Sequence, residues 1–329
     1  MMLSRTAENL YWLGRHLERA EAVSRIIREH TKLLVDLPID VESDWASLLS
    51  ITGAAESYSE RYSDADEVGI VSHLMADIGN PTSVIRTVAA ARENLRVTRQ
   101  LMPGSLWECV NRLHSTVATS AGNCSARGSR LDLASSIISS SQQIVGILAS
   151  TVSRDDAFSF YELGRNIERA DMTTRVLDVR AASLLSDGAR GTLPPADRSP
   201  YEDVRWMGVL RSLGAQHMYT RSSVGSISGE SVVDFLVEDL RFPRSVNHCL
   251  SRIDHILDAL PVRKLPGERS AELKRTVAAR SASDVDAVVL RDWVDQVQLG
   301  IEGLHGSLAS TFFTPETTKS LHPSGRVVV

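Results

Sequence analysis

The residues that could do chemistry in this chain are concentrated in one short segment that occurs twice. Residues 11–21 read YWLGRHLERAE, and residues 161–171 read YELGRNIERAD. Both copies place a glutamate between arginines. A guanidinium group can bind a carboxylate or a phosphate through paired hydrogen bonds, and a glutamate can hold an arginine, receive an amine or act as a general base. The segment therefore predicts either an anion-binding site or an ion-pair network.

On a helix, polar residues of each copy share one stripe, because they follow one another at steps of three, four or seven residues. The stripes are Tyr11, Gly14, Glu18 and Arg25 in the first copy and Tyr161, Gly164, Glu168 and Arg175 in the second, and they are flanked by Arg15, Arg19, Arg165 and Arg169. Apolar residues form a neighbouring stripe, which predicts ordinary core packing.

Two roles remain open for the polar stripe. It could be a buried network that holds two quasi-equivalent helices together, since a buried ion pair does not tolerate the loss of one partner. It could instead line a polar cleft that binds a carboxylate or phosphate. The candidate substrate- or anion-binding residues of the motif are Tyr11, Arg15, Glu18, Arg19, Arg25, Tyr161, Arg165, Glu168, Arg169 and Arg175.

Further matches extend the repeat over most of the chain. Residues 45–53 are matched by residues 206–214, and residues 74–84 by residues 236–246. Ordered matches at a nearly constant spacing indicate an internal duplication. We expect a helical bundle of two repeats, residues 1–150 and 151–313, around a pseudo-twofold axis, followed by a mobile tail at residues 314–329.

The composition predicts an all-α protein. Of 329 residues, 43% are hydrophobic and 5% aromatic, with little of the period-two alternation of strands. A net charge of −5 provides no overall basic field for nucleic acid. Three cysteines without metal spacing argue against a disulfide framework, and the chain has neither a signal core nor a run of about 20 apolar residues. We therefore expect a cytoplasmic protein that binds neither membrane nor nucleic acid.

Helical periodicity and capping residues predict the main elements. The predicted helices cover residues 4–34, 44–50, 66–78, 83–102, a segment after 104, 131–151, 155–184, 202–213, 231–240, 244–260 and 283–312. A Gly/Ser-rich loop is predicted at residues 120–130. The two helices that carry the motif are expected to pack closely with Gly14 and Gly164 at their contact, because a mid-helix glycine costs about 1 kcal/mol relative to alanine.

A second group of basic residues occurs in the first half only. Arg92, Arg96 and Arg99 share one helix face, whereas the matching segment of the second half reads RIDHI. A charge row is commonly a solvated surface. Because the row is asymmetric, it also fits the specialisation of one half for a ligand or partner, and all three arginines join the candidate anion-binding residues.

Few other motifs carry chemistry. The sequence has no glycine-rich phosphate loop, no His-Glu-x-x-His motif and no zinc-spaced cysteine pair. Glu302 and His305 form one Glu-x-x-His pair, whereas a di-iron bundle requires two. We expect no cofactor and no metal, and no catalytic residue is identified.

Several motifs together resemble the bacterial alpha-E family. They are MLSR at residues 2–5, AENLYWLGR at 7–15, LERAE at 17–21, NPTSV at 80–84, ARENLR at 91–96, Trp107 with Asn111, GRNIERAD at 164–171 and FPRSV at 242–246. The resemblance covers nearly the whole chain. It implies an all-helical protein that is commonly encoded beside, or fused to, a circularly permuted ATP-grasp ligase and often near a transglutaminase-like protease.

This resemblance suggests an accessory or substrate-binding partner of a separate ATP-grasp amide or peptide ligase. The motif arginines would then orient a carboxylate or phosphate of a peptide or amino-acid substrate, while Glu18 and Glu168 would hold the arginines or bind the amine. Two alternatives stay open: an independent enzyme with Glu18 or Glu168 as general base, and a non-catalytic scaffold. A closed contact between the stripes favours the scaffold, and an open cleft favours binding or catalysis.

Overall fold

The computed structural model describes residues 2–36, 45–188, 202–222, 227–262, 264–280 and 287–314, and all regular structure in these ranges is helical. The helices are α1 (Ser4–Asp36), α2 (Ala46–Thr52), α3 (Ala55–Ser59), α4 (Glu67–Met75), α5 (Val84–Val97), α6 (Gly104–Ser120), α7 (Arg127–Thr151), α8 (Asp156–Gly188), α9 (Glu202–Ser212), α10 (Gln216–Ser222), α11 (Gly229–Glu238), α12 (Val246–Ala259), α13 (Lys264–Ala278) and α14 (Ala287–Leu308). The all-α prediction is confirmed for these residues.

The structure differs from the predicted helices in a few short elements. Helices α3, α10 and α13 are not predicted by the sequence patterns. α13 contains Pro266 in its first turn, where a proline removes only an N–H that has no helical acceptor. The predicted loop at 120–130 is wrong in part, because Ala121–Asn123 is a 3₁₀ turn and α7 already begins at Arg127.

Some predictions fall on residues outside the described ranges. These are the predicted tail beyond Thr314 and the first residues of the predicted helix 283–312.

The two helices that carry the motif, α1 and α8, form the centre of the fold. A Cβ on Gly14 would overlap the backbone carbonyl of Tyr161, and a Cβ on Gly164 would overlap the carbonyl of Tyr11. Both glycines therefore lie at the contact, as predicted. The absence of two side chains lets the helix backbones touch at this level.

The helices around this central pair show a matching pattern of contacts. α1 contacts α5, α7 and α9, and α8 contacts α12, α14 and α2. α6 contacts both α5 and α7, just as α13 contacts both α12 and α14. α2 follows α1 in the chain but packs on α8, and α9 follows α8 but packs on α1. The two halves are therefore interleaved at α2 and α9.

Matching residues begin and end the matching helices. Ser83 and Ser245 precede α5 and α12, and each hydroxyl accepts a hydrogen bond from the backbone N–H three residues later. Gly53 and Gly214 end α2 and α9 with φ of 67° and 64°. This left-handed conformation is available to glycine at little cost, which explains why both helices stop there.

The predicted apolar stripe is core in both copies. Its buried members are Leu10, Leu13, Leu17, Ala20 and Ile27 of α1 and Phe160, Leu163, Ile167, Ala170 and Leu177 of α8. Cys109, Cys124 and Cys249 are buried free thiols, in agreement with the argument against a disulfide framework. None of the helices in the described part of the chain combines the length and apolar character that a membrane span requires.

Candidate functional site

Glu168 of α8 is enclosed by two arginines of α1. Its side chain is fully buried. Arg15 Nε donates to one carboxylate oxygen at 2.7 Å, and Arg19 donates to both oxygens at 2.5 and 3.0 Å. Because the helix places Arg15 and Arg19 about one turn apart, both guanidinium groups reach the same carboxylate.

The reciprocal contact surrounds Glu18 of α1 with three arginines. Arg165 Nε and Arg169 Nε, both from α8, lie 3.3 and 2.9 Å from its Oε2. Arg244, in the turn before α12, donates to the other oxygen and also to Glu21 at 2.9 Å. Each motif glutamate therefore binds the motif arginines of the other copy.

The contacts between α1 and α8 keep the same order along both helices. Tyr11 meets Gly164, and further along Glu18 meets Arg169. The two helices therefore run in the same direction. With this orientation, equivalent motif positions lie at the same level, so the arginine row of each helix faces the glutamate of the other.

The charges of this network are almost inaccessible to water. Glu18 is 3% exposed and Glu168 is 0% exposed. Burial alone would raise the pKa of each carboxyl, but the surrounding guanidinium groups outweigh it and lower the pKa of both to about 2. Both glutamates are therefore ionised at neutral pH and are weak bases. This closed geometry favours an ion-pair network.

The two motif tyrosines are buried beside the network. Burial raises the pKa of Tyr11 to about 12 and also raises the pKa of Tyr161. The phenols thus stay protonated at neutral pH. Tyr11 Oη and His305 Nδ1 share a hydrogen bond of 2.7 Å, which connects α1 with α14. Burial, followed by the charge of Arg15, lowers the pKa of His305 and favours a neutral ring.

Arg25 and Arg175 form a further set of matching contacts. Arg25 binds Glu21 at 2.7 Å within α1, and Arg175 binds Asp171 at 2.8 Å within α8. Each guanidinium also reaches the glycine that ends the crossing helix of the other half, α9 for Arg25 and α2 for Arg175. These arginines therefore lie at the edge of the network.

Next to Arg15 the surface opens into a cleft of about 540 Å³, which we call the Arg15 cleft. It is lined by Arg15, Asp171, Arg175, Asp295, Gln298, Leu299, Ile301, Glu302 and His305. Asp295 and Glu302 are exposed on α14, and neither forms an ion pair with another described residue. The cleft therefore combines two unpaired carboxylates from α14 with guanidinium groups from α1 and α8.

The described residues do not form a metal-binding cluster. Within the described residues, no three His, Cys, Asp or Glu side chains are grouped closely enough to hold one. Glu302 and His305 both line the Arg15 cleft, but the Nδ1 atom of His305 is already bonded to Tyr11.

The basic row of Arg92, Arg96 and Arg99 is separate from the network. Arg92 and Arg96 lie on α5, but the prediction of one helix face is wrong for Arg99, because α5 ends at Val97 and Arg99 begins a 3₁₀ turn. The guanidinium groups of Arg92 and Arg99 lie 5.3 and 5.6 Å from the centre of the Trp107 ring, and Arg92 also donates to a side-chain amide of α6 at 2.6 Å. Arg96 is exposed and binds Glu93 at 2.6 Å. The contacts described for this row thus join α5 and the 3₁₀ turn after it to α6 and do not reach the motif.

The comparison with protein families agrees with this arrangement of glutamates and arginines. The Alpha-E model, a predicted alpha-helical domain with a conserved ER motif, matches residues 2–313. The chain belongs to the Alpha-E family. In this Alpha-E chain the repeated motif contributes two ER dipeptides, Glu18-Arg19 and Glu168-Arg169, and the structure brings them face to face.

Relatives of this Alpha-E chain occur in mycobacteria. Uncharacterized proteins of Mycobacterium bovis and Mycobacterium tuberculosis are 22% identical to it over 350 residues. The alignments cover 98% of this chain and 37% of each relative, so the chain spans little more than a third of the length of the relatives it matches. No solved structure matches the chain at a significant level.

The structure brings together eight of the predicted site residues in the network, namely Tyr11, Arg15, Glu18, Arg19, Tyr161, Arg165, Glu168 and Arg169. Sequence reasoning did not single out Arg244 of the network or Asp295 of the Arg15 cleft. Arg244 stands where the first copy has Thr82, so a search for repeated residues passes over it. The spacing of Asp295, Glu302 and His305 at steps of seven and three is the signal that could have identified the polar face of α14.

Proposed function

We propose that this Alpha-E chain is an accessory, substrate-binding partner of a separate circularly permuted ATP-grasp ligase that forms an amide or peptide bond. The resemblance to the alpha-E family supports the choice of partner. The charged side chains that line the Arg15 cleft are the observation that supports the proposed class of substrate. The buried free thiols fit a reducing compartment, and we place the protein in the bacterial cytoplasm.

The Arg15 cleft fits the amine and carboxylate of an amino acid or short peptide. Asp295 and Glu302 would bind the ammonium group, because neither has an ion-pair partner among the described residues. Arg175 has a side chain that is 35% exposed, and its nitrogens not used by Asp171 would bind the substrate carboxylate. Three carboxylates against two guanidinium groups line the cleft, which favours an amine-bearing ligand over a phosphate.

In this proposal Glu18 and Glu168 position the arginines and do not touch the substrate. Their burial and low pKa support this role over that of a general base. Arg15 is shared between Glu168 and the cleft, so the network fixes one wall of the binding site. A scaffold with no ligand is the competing candidate, and the closed contact between the two Glu–Arg stripes is the observation in its favour.

We further propose that the two halves, residues 1–150 and 151–313, arose by internal duplication and are related by a pseudo-twofold axis along the α1–α8 pair. The reciprocal binding of each motif glutamate by the other copy supports this origin. So do the matching helix contacts and the matching serine and glycine caps.

The proposal is tested by co-expressing the chain with a circularly permuted ATP-grasp ligase from the same organism and measuring amine-dependent ATP consumption and product. We expect the chain to raise the rate or lower the KM for the amino acid. Asp295→Asn with Glu302→Gln should raise that KM by about tenfold or more, because an ammonium group loses its charged partners. Asp292→Asn, on an exposed part of α14 outside the cleft lining, is the matched control. A ligase whose rate, product and stability are the same without the chain would exclude the proposal.

A further inference from the structure

A second cleft of about 440 Å³ lies between α7, α8 and α12 and reaches Arg165 of the network. We call it the Arg252 cleft. Its charged lining consists of Arg154, Arg165, Arg252 and Glu162, with His255 beside them. Three guanidinium groups against one carboxylate give this cleft a positive charge, in contrast to the Arg15 cleft.

The three arginines of the Arg252 cleft differ in the number of contacts that they already make within the protein. Arg165 Nη1 binds Glu162 at 2.9 Å, and its Nε faces Glu18. Arg154 lies 4.0 Å from the centre of the Phe158 ring and donates to a backbone carbonyl at the end of α7 at 2.7 Å. Arg252 is half-buried, and no hydrogen bond or ion pair joins it to another described residue. It is therefore the guanidinium that is available to a ligand.

The cleft has an apolar wall as well as a charged one. Leu148 of α7 and Ile256 of α12 are buried at its base, and the half-buried ring of Phe158 stands beside them. A ligand that reaches Arg252 would therefore place its remaining atoms against hydrocarbon. Removal of that surface from water would contribute to binding.

The Arg252 cleft is not required by the shared architecture of the two halves. The motif position of Glu162 is occupied by Trp12 in the first copy. There the indole ring lies 5.1 Å from the guanidinium of Arg15 and 5.5 Å from the ring of His305. A glutamate is smaller than a tryptophan, so the replacement provides room in the second half.

We propose that the Arg252 cleft binds a small organic carboxylate with an apolar body. The carboxylate binds the guanidinium of Arg252, and the apolar body lies against Phe158 and Leu148. An amino acid is disfavoured, because Glu162 is held by Arg165 and no other lining carboxylate can receive an ammonium group. The proposal is independent of the ligase partnership and concerns a site different from the Arg15 cleft.

The test measures binding of phenylacetate to the full chain by calorimetry and by ligand-observed NMR. Acetate lacks the apolar body and 2-phenylethanol lacks the charge, so each serves as a matched probe. We expect saturable binding of phenylacetate and much weaker binding of the other two. Arg252→Gln should weaken phenylacetate binding by about tenfold or more, since a charge-assisted hydrogen bond is lost. Arg269→Gln, at an exposed arginine of α13, should leave it unchanged.

A second variant separates occupation of the cleft from general attraction of anions. Glu162→Trp removes a negative charge and fills the space with the ring found at the same motif position of the first copy. If phenylacetate occupies the cleft, this variant loses binding, although its net charge is more favourable to an anion; thermal melting checks that it is folded. Tighter binding by Glu162→Trp, equal binding by Arg252→Gln and the wild type, equal binding of acetate or 2-phenylethanol, or no saturable binding would each overturn the proposal.

Discussion

At the scale of single residues, the central question is what the buried charges of Glu18 and Glu168 contribute. Two ions removed from water gain little net stability from their attraction, whereas the loss of one partner leaves a buried charge uncompensated. We therefore interpret the network mainly as the interaction that fixes the alignment of α1 against α8. Only the correct alignment gives every guanidinium group a carboxylate.

We expect Glu18→Gln to lower the free energy of unfolding by about 3–5 kcal/mol, because three guanidinium groups would lose their shared carboxylate. Urea denaturation measures the change. Glu93→Gln is the matched control: its partner Arg96 is exposed, and the expected loss is below about 1 kcal/mol. Equal stability of Glu18→Gln and the wild type would contradict a structural role for the network.

The lowered pKa of the Glu18 carboxyl predicts how the stability of the protein changes in acid. The pKa of Glu18 is lowered from its ordinary 4.5 to about 2 by folding, so its contribution is present above pH 4.5 and is lost as the pH falls toward 2. The free energy of unfolding of the wild type should therefore fall over this window, and that of Glu18→Gln should fall less steeply. Denaturation curves recorded across the acid range decide this. Parallel pH profiles would show that Glu18 is not the group responsible.

The residue types of this network could be predicted from the sequence, but its connections could not. The repeated Glu–Arg motif and its stripe are visible in the chain. Whether Glu18 binds Arg25 of its own helix or Arg165 of the other depends on the direction in which α8 lies against α1. Arg244 reaches Glu18 from a distant turn, and no spacing rule links the two.

At the scale of helices, the closeness of α1 and α8 depends on two glycines. Gly14→Ala would press a methyl group into the backbone of α8 and should lower the free energy of unfolding by at least about 2 kcal/mol. Gly146→Ala provides the control, because Gly146 lies within α7 with no atom near its missing Cβ. There alanine should stabilise the protein by up to about 1 kcal/mol through its helix propensity.

Thermal melting of both glycine variants separates the two effects. A loss of stability confined to Gly14→Ala identifies the helix contact as the cause. If both variants were equally stable, α1 and α8 would not be in the close contact that the structure gives them.

The helices themselves were predictable to different degrees. Long helices such as α1 and α8 show a sustained apolar period, and α5 and α12 begin at serine caps that can be recognised in the sequence. The short helices α3 and α10 contain too few turns for a period to emerge. They are held by the surrounding core, including the buried side chains of Tyr58 and Tyr219.

At the scale of the whole molecule, the two halves share most residues of their central contact, with Arg244 as an exception, and differ in several charged groups nearer the surface. The Glu–Arg network, the glycines at the helix contact and the helix caps occur in both halves. The α14 carboxylates and the Arg252 guanidinium, which have no ion-pair partner among the described residues, and the basic row at residues 92–99 each occur in one half only. We propose that the unmatched charged groups bind ligands and partners. The matching residues hold the two halves together, and two of them, Arg15 and Arg175, also line a cleft.

The basic row at residues 92–99 leads to a prediction about docking of the proposed ligase partner. Arg96 is 55% exposed in its side chain, so it can meet an acidic partner surface without disturbing the core. Arg96→Glu should weaken complex formation, and the difference from the wild type should shrink at high salt because exposed charges are screened. Arg92 and Arg99 are held against Trp107 and should keep the local structure of α5 and α6 intact.

Arg269→Glu is a closely matched control for this experiment. Arg269 is 51% exposed and binds Glu272 three residues later, whereas Arg96 binds Glu93 three residues earlier, so both substitutions place two glutamates one turn apart on an exposed helix face. Binding measured at low and high ionic strength distinguishes a specific surface from net charge. A loss limited to Arg96→Glu assigns the ligase to the face of α5. Equal losses for the two variants would reflect net charge, and unchanged binding at every ionic strength would make the row ordinary solvated surface.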